Sequence, residues 1–175
     1  MDHYLTVGID PGSQGAIVIL DCDGAIIDSE RMPMLGKEID TEVLMKILPS
    51  FGAIRHTAIG LEEVTPFGMG RTSAFTFGKN VGTLLGVIGA MGFDLLRTRP
   101  QKWQKWAFGS GRPWAGSLPE EGSTKEKANA AAISIWPTLE DPLKIKRNQG
   151  IADAAMIAAY TRELTMGDFA DPPIH

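Results

Sequence analysis

The stretch "LTVGIDPGSQGAIVIL", Leu5 to Leu20, decides the fold. Tyr4 to Asp10 and Gly15 to Leu20 read as two strands, with the turn signal Pro11-Gly12-Ser13 between them. Short, nearly continuous apolar runs suit strands buried on both faces. Asp10 interrupts that logic, because it stands at the end of the first run, where Val or Ile would be expected. A lone buried carboxylate costs several kcal/mol unless a proton, a partner or a cation neutralises it.

Working outward, Gly24 to Arg31 is a third strand beyond the turn Asp21-Cys22-Asp23-Gly24, completing an antiparallel meander. Asp40 to Leu48 has helical spacing, with Asp40 as N-cap and Pro49 and Gly52 as stops. Thr57 to Leu61 is an apolar strand ending in Glu62-Glu63. A long helix is predicted over Ser73 to Met91, then a strand over Phe93 to Thr98 and a short helix from Pro100. "FGSGRPWAGSLPEEG", Phe108 to Gly122, has no hydrophobic period and is predicted to be a mobile loop. Ser123 to Trp136 and Gly150 to Leu164 are two further helices, joined by a basic connection holding Lys144-Ile145-Lys146-Arg147. This order predicts an α/β protein with a five-stranded mixed sheet flanked by helices. Residues 1–166 are expected to form a single domain, and residues 167–175 a frayed tail.

With 43% hydrophobic and 22% charged residues, the composition is that of a globular protein, and no apolar run is long enough to span a bilayer. The N-terminus lacks the pattern of a signal peptide, so an intracellular, cytoplasmic protein is expected. The single cysteine, Cys22, excludes an intramolecular disulfide. Three scattered histidines, His3, His56 and His175, argue against a Cys/His zinc site. The net charge of −4 conceals an uneven distribution: Arg97 to Arg147 carries ten Lys/Arg against five Asp/Glu, while the rest of the chain is strongly acidic. That division suits a protein that grips phosphates on one side and holds cations among carboxylates on the other. Charge scattered over a solvated face is the plain alternative.

Three acids sit in apolar surroundings: Asp10, one of the Glu62-Glu63 pair, and Asp153 within "GIADAAMIAAY". Side chains alternate along a strand, so only one glutamate can face a shared site, and Glu62 is favoured. If the strand ends and the last helix meet, the cluster is a hard-oxygen site suited to Mg²⁺ or Mn²⁺. Two such ions could drive phosphodiester hydrolysis. Taken singly, each acid could instead be a turn cap or a surface charge. Gly78, Gly82 and Gly86 recur on one face of the long helix, each at a cost of up to about 1 kcal/mol relative to alanine. Close approach of another backbone, or packing on the protein's own sheet, would explain them.

"GIDPG" (8–12), "IGLEEV" (59–64), "SAFTFGKNVGTLLGVIGAMG" (73–92), "STKEKAN" (123–129) and "IADAAMIA" (151–158) resemble, in order and spacing, the blocks of RuvC-type Holliday junction resolvases. The resemblance implies a ribonuclease-H-like fold and a homodimeric, metal-dependent endonuclease that cuts Holliday junctions or related branched DNA in recombination and repair. It implies catalytic and metal-holding roles for Asp10, Glu62 and Asp153, two ions per site, and a role for Lys125 at the scissile phosphate. It places the dimer interface on the glycine stripe, and Phe67 and Met69 on a loop that opens the junction centre. Phosphate contacts are expected from Arg71, Lys79, Arg97, Arg99, Lys102, Lys105, Arg112, Lys127, Lys146 and Arg147, with stacking by an exposed Trp106 or Trp114 and with Trp103 in the core. The family's further acid, one turn before the last, is missing. Gln149 and Gly150 stand there, which weakens the second ion site; a phage-type or otherwise divergent member, or an altered residue in this chain, would each account for it. A junction-binding protein with a degraded metal site is the alternative from another class. A general or RNA-directed nuclease on the same fold is a nearer one, and a sugar-kinase-like ATPase is disfavoured by length.

Overall fold

The computed structural model describes residues 4–49 and 57–167. His3, His56, the helix stop expected at Gly52, and residues 168–175 of the expected tail lie outside the described residues. A five-stranded sheet is built from β1 (Leu5–Ile9), β2 (Ala16–Leu20), β3 (Ile26–Arg31), β6 (Thr57–Glu62) and β7 (Asp94–Thr98), in the order β3-β2-β1-β6-β7. The meander strands pair antiparallel and the β1-β6 and β6-β7 pairs are parallel, giving the mixed sheet predicted. A short hairpin, β4 (Met34–Leu35) and β5 (Glu38–Ile39), was not predicted, since two-residue strands leave no period to detect.

Both faces of the sheet are covered, which is why β1 and β2 are apolar almost throughout. On one face Val7, Ile9, Ile59 and Leu61 pack with Leu44 of α1 (Thr41–Ile47) and Leu84 and Ile88 of α2 (Arg71–Met91). On the other, Ala16, Val18 and Leu20 pack beneath α3 (Pro100–Ala107), α4 (Thr124–Ile135) and the alanine-rich α6 (Gly150–Met166). The helix predicted from Ser73 begins at Arg71, with Gly70 as N-cap and no side-chain cap, so the start carried no sequence signal.

Gly8 and Gly60 decide how closely α6 approaches. A Cβ on Gly8 would lie 2.0 Å from the Ala154 carbonyl oxygen and 2.4 Å from the Ala158 nitrogen. One on Gly60 would lie 1.9 Å from Thr161 Oγ1. The helix backbone therefore rests directly on β1, and alanines at 154, 155, 158 and 159 make that contact sterically possible.

The Phe108 to Gly122 segment departs from the mobile loop expected. It contains the 3₁₀ turn Pro113–Ser117, and Trp114 is buried with its indole N–H donating to the Ala107 carbonyl at 2.8 Å. Arg112 makes a bidentate pair with Glu163, 2.7 and 2.8 Å, and lies over the Trp106 ring. The connection between the last two long helices likewise holds a short helix, α5 (Glu140–Lys144). Among the described residues no helix is long and apolar enough to cross a membrane.

Candidate active site

The parallel β1-β6 register pairs Ile9 with Leu61, so the next residues, Asp10 and Glu62, stand at adjacent strand ends. The Asp10 backbone N–H donates to the Ala16 carbonyl at 3.0 Å, and one side-chain oxygen accepts from the Gly12 N–H at 3.1 Å. The turn thus holds the carboxylate while leaving its other oxygen to the site. Glu62 accepts a 2.8 Å hydrogen bond from the indole N–H of Trp103, whose ring is buried on α3. Glu63 points elsewhere, 2.9 Å from Arg97 and 3.9 Å from Arg99, as strand alternation predicts.

Asp153 arrives on the first turn of α6, next to the Ala154 that presses on Gly8. Lys125 Nζ lies 3.5 Å from Asp153 Oδ2. Its position follows from a capping box at the start of α4: the Glu126 N–H donates to Ser123 Oγ at 3.2 Å, and the Glu126 carboxylate accepts from the Ser123 N–H at 2.7 Å. Lys125 is the second helical residue and faces α6.

The three acids feel one another. Burial raises Asp10 above the ordinary carboxylate value, against the Gly12 hydrogen bond and the charge of Lys125. Burial likewise pushes Glu62 up to about 7; the Trp103 hydrogen bond opposes this, and the charges of Asp10 and Asp153 add to it. Asp153 is raised to about 6 by burial and by Asp10, with Lys125 opposing. Among the described residues Lys125 is the one cation that lowers all three values, so the cluster is short of positive charge. That deficit and an all-oxygen donor set fit a hard divalent cation. Among the described residues no three Asp, Glu, His or Cys side chains stand close enough to hold an ion by themselves.

Gly150 and Gln149 differ in what they can offer. A Cβ at 150 would lie 2.4 Å from the Gln14 carbonyl oxygen and 2.8 Å from Gly15 Cα, so the start of α6 is wedged against the β1-β2 turn and only glycine fits. Of the two positions where the further acid would stand, Gln149 alone carries a functional group, a half-buried amide at the helix N-cap.

The remaining expected residues divide by what already occupies them. Phe67 is 98% exposed, and Met69 is also exposed, on the loop leading into α2, so neither belongs to the core. Arg71, Lys102, Lys105, Lys146 and Arg147 are exposed and Lys127 half-buried, all without an ion pair among the described residues. Lys79, by contrast, is paired with Glu38. Arg112 is committed to Glu163, and Trp106 and Trp114 are buried rather than exposed for stacking, because each packs its ring against the arginine or its neighbour. Gly78, Gly82 and Gly86 face outward, and a Cβ on any of them would meet nothing within 4 Å, which removes packing on the protein's own sheet as their explanation. The Trp103–Glu62 hydrogen bond was missed; a core indole, whose N–H needs a partner, was the available signal.

Comparison with known proteins agrees with this fold. Over 120 residues, 67% of the chain, it is 32% identical to the chloroplastic Holliday junction resolvase MOC1 of Chlamydomonas reinhardtii, and it spans 12% of that relative's length. Thermus thermophilus RuvC in complex with a Holliday junction substrate superposes with a TM-score of 0.61 at 18% identity, covering 94% of this chain and 97% of the other. A second Thermus thermophilus RuvC structure gives 0.54 at 20% identity, covering 93% and 96%. No family model matches the chain. The resemblance to RuvC-type resolvases drawn from the five sequence blocks is thereby borne out, and the chain has their ribonuclease-H-like fold.

Proposed function

We propose that this protein is a metal-dependent endonuclease that cuts phosphodiesters in Holliday junctions or related branched DNA as a homodimer. The observation that carries the proposal is the placement of Asp10 and Glu62 at adjacent strand ends, within electrostatic reach of Asp153, which pairs with Lys125. Asp10, Glu62 and Asp153 would have to draw closer together than they stand here to hold Mg²⁺ or Mn²⁺, with the Gln149 amide as a neutral fourth candidate. Bound ions would supply water activation and stabilise charge on the leaving oxygen. The chain's own part is positioning: the Gly12 N–H orients Asp10, Trp103 orients Glu62, and Lys125 offers a cation to the scissile phosphate. Phe67, exposed on the loop before α2, would enter an opened junction centre. The open glycine face of α2 is the surface on which a second copy would pack, and two symmetric sites match the two-fold symmetry of a four-way junction.

A synthetic four-way junction and a linear duplex of the same sequence, each incubated with Mg²⁺, test this. Cleavage of the junction alone, abolished in Asp10→Asn, is expected. A second reading rests on Gln149 and Gly150, which leave the fourth ligand position without an acid: a branched-DNA-binding protein with a weakened metal site. Tight junction binding without metal-dependent cleavage would favour it.

A further inference from the structure

Beside Asp10 opens a groove of about 900 Å³, walled by the β1-β2 turn, the end of β3, the β4-β5 hairpin and the first turns of α2. Its rim carries three exposed cations: Arg31, Lys37 and Arg147. None makes an ion pair among the described residues, whereas Lys46, Lys79, Arg97 and Lys144 each have a carboxylate within 4.0 Å. Unpaired cations gathered around one concave surface, next to a charge-deficient acidic cluster, create a positive field that suits an anionic occupant reaching both.

Two of these cations stand on fixed backbone. Arg31 pairs with Ala16, whose carbonyl in turn accepts from Asp10, and the Met32 N–H donates to Gly15 at 2.9 Å. Arg31 is therefore two strand spacings from Asp10, roughly 10 Å across the sheet. Lys37 sits at the hairpin turn beside Gly36, whose φ of +66° is left-handed. The buried Asn80 of α2 clamps that turn, donating to the Lys37 carbonyl at 3.0 Å and accepting from the Ile39 N–H at 3.3 Å. Hydroxyls of Thr72 and Thr76 line the same groove and add neutral donors.

We propose that Arg31 and Lys37, on the β3 end and the clamped hairpin, form with Arg147 a phosphate track that grips the cleaved DNA strand next to the scissile phosphate. The inference rests on the nuclease reading and extends it to a surface outside the basic segment Arg97 to Arg147 except for that last residue. A strand rising about 3.4 Å per nucleotide would present neighbouring phosphates to these side chains while one lies at Asp10.

The test is the salt dependence of junction binding without metal, followed by fluorescence anisotropy. Each phosphate contact contributes about 0.9 to the slope of log affinity against log salt concentration. The double variant Arg31→Ala/Lys37→Ala should bind more weakly at every salt concentration, with a slope smaller by about 1.8. Arg31→Lys/Lys37→Arg should restore most of it, and Lys46→Ala, a paired lysine on α1, should leave it unchanged. An unaltered slope in the double variant, with wild type binding normally, overturns the track and leaves the nuclease proposal standing. Failure of the wild-type protein to bind the junction at all overturns both.

Discussion

Gly8→Ala probes the contact that brings Asp153 to the sheet. The new methyl would start 2.0 Å from the Ala154 carbonyl oxygen and 2.4 Å from the Ala158 nitrogen. Ordinary contact requires about 3.5 Å, so α6 must lift from β1 by more than an ångström. Both obstacles are helix backbone, which cannot rotate away, and this places the cost near the upper end for overpacking, about 3 kcal/mol. At a urea m value of about 2 kcal/mol/M, the unfolding midpoint should fall by about 1.5 M. Asp153 adjoins Ala154, and a shift of about 1 Å in a catalytic group can cost on the order of 100-fold in rate. Single-turnover cleavage, measured where the variant is folded, should show that loss. Gly60→Ala supplies the contrast, because its methyl meets the Thr161 and Ile157 side chains, which can rearrange. An unchanged midpoint and full activity in Gly8→Ala would refute the idea that α6 is seated on β1 at this glycine.

Glu62 and Asp153 have values raised to about 7 and about 6 from ordinary values of 4.5 and 3.8, so the folded state holds their protons more tightly than the unfolded state. Their stabilising contribution is therefore complete below about pH 4 and is lost as pH rises through about 6 to 7; the metal-free protein should lose on the order of 4 kcal/mol between pH 5 and pH 8 by urea denaturation. Mg²⁺ should raise the melting temperature at pH 8 and leave it nearly unchanged at pH 5. Trp103→Phe removes the donor to Glu62 and leaves a part-buried oxygen unpaired, costing about 1–3 kcal/mol. Because that bond holds the Glu62 value down, the acid limb of the cleavage pH profile should move to higher pH. Gly82→Ala on the open face of α2 should stabilise the isolated helix surface by up to about 1 kcal/mol, and yet raise the dimer dissociation constant in sedimentation if a second copy packs there.

Much of the site could be read directly from the residues. Asp10 broke an apolar strand, alternation separated Glu62 from Glu63, and Asp153 stood out among alanines. These signals are local, and the parallel β1-β6 register converts them into proximity. What could not be read depends on partners distant in sequence. The Phe108 to Gly122 segment has no period, yet Glu163, 51 residues beyond Arg112, fixes it in place. Arg112 looked like a phosphate ligand because its carboxylate partner lies on another helix. Gly150 looked like a lost acid, although the Gln14-Gly15 backbone leaves no room there for a side chain. The hairpin carrying Lys37 escaped notice because a single asparagine of α2, rather than a repeating pattern, holds it.

Mn²⁺ binding, followed by electron paramagnetic resonance on the DNA-free protein, tests most directly whether Asp10, Glu62 and Asp153 form one cation site. Wild type should take up Mn²⁺ at neutral pH and release it as pH falls through the range in which Glu62 and Asp153 protonate. Asp10→Asn and Asp153→Asn should each weaken uptake by at least about tenfold, although the two residues lie far apart in sequence. Equal Mn²⁺ affinity in wild type and both variants would contradict a shared site.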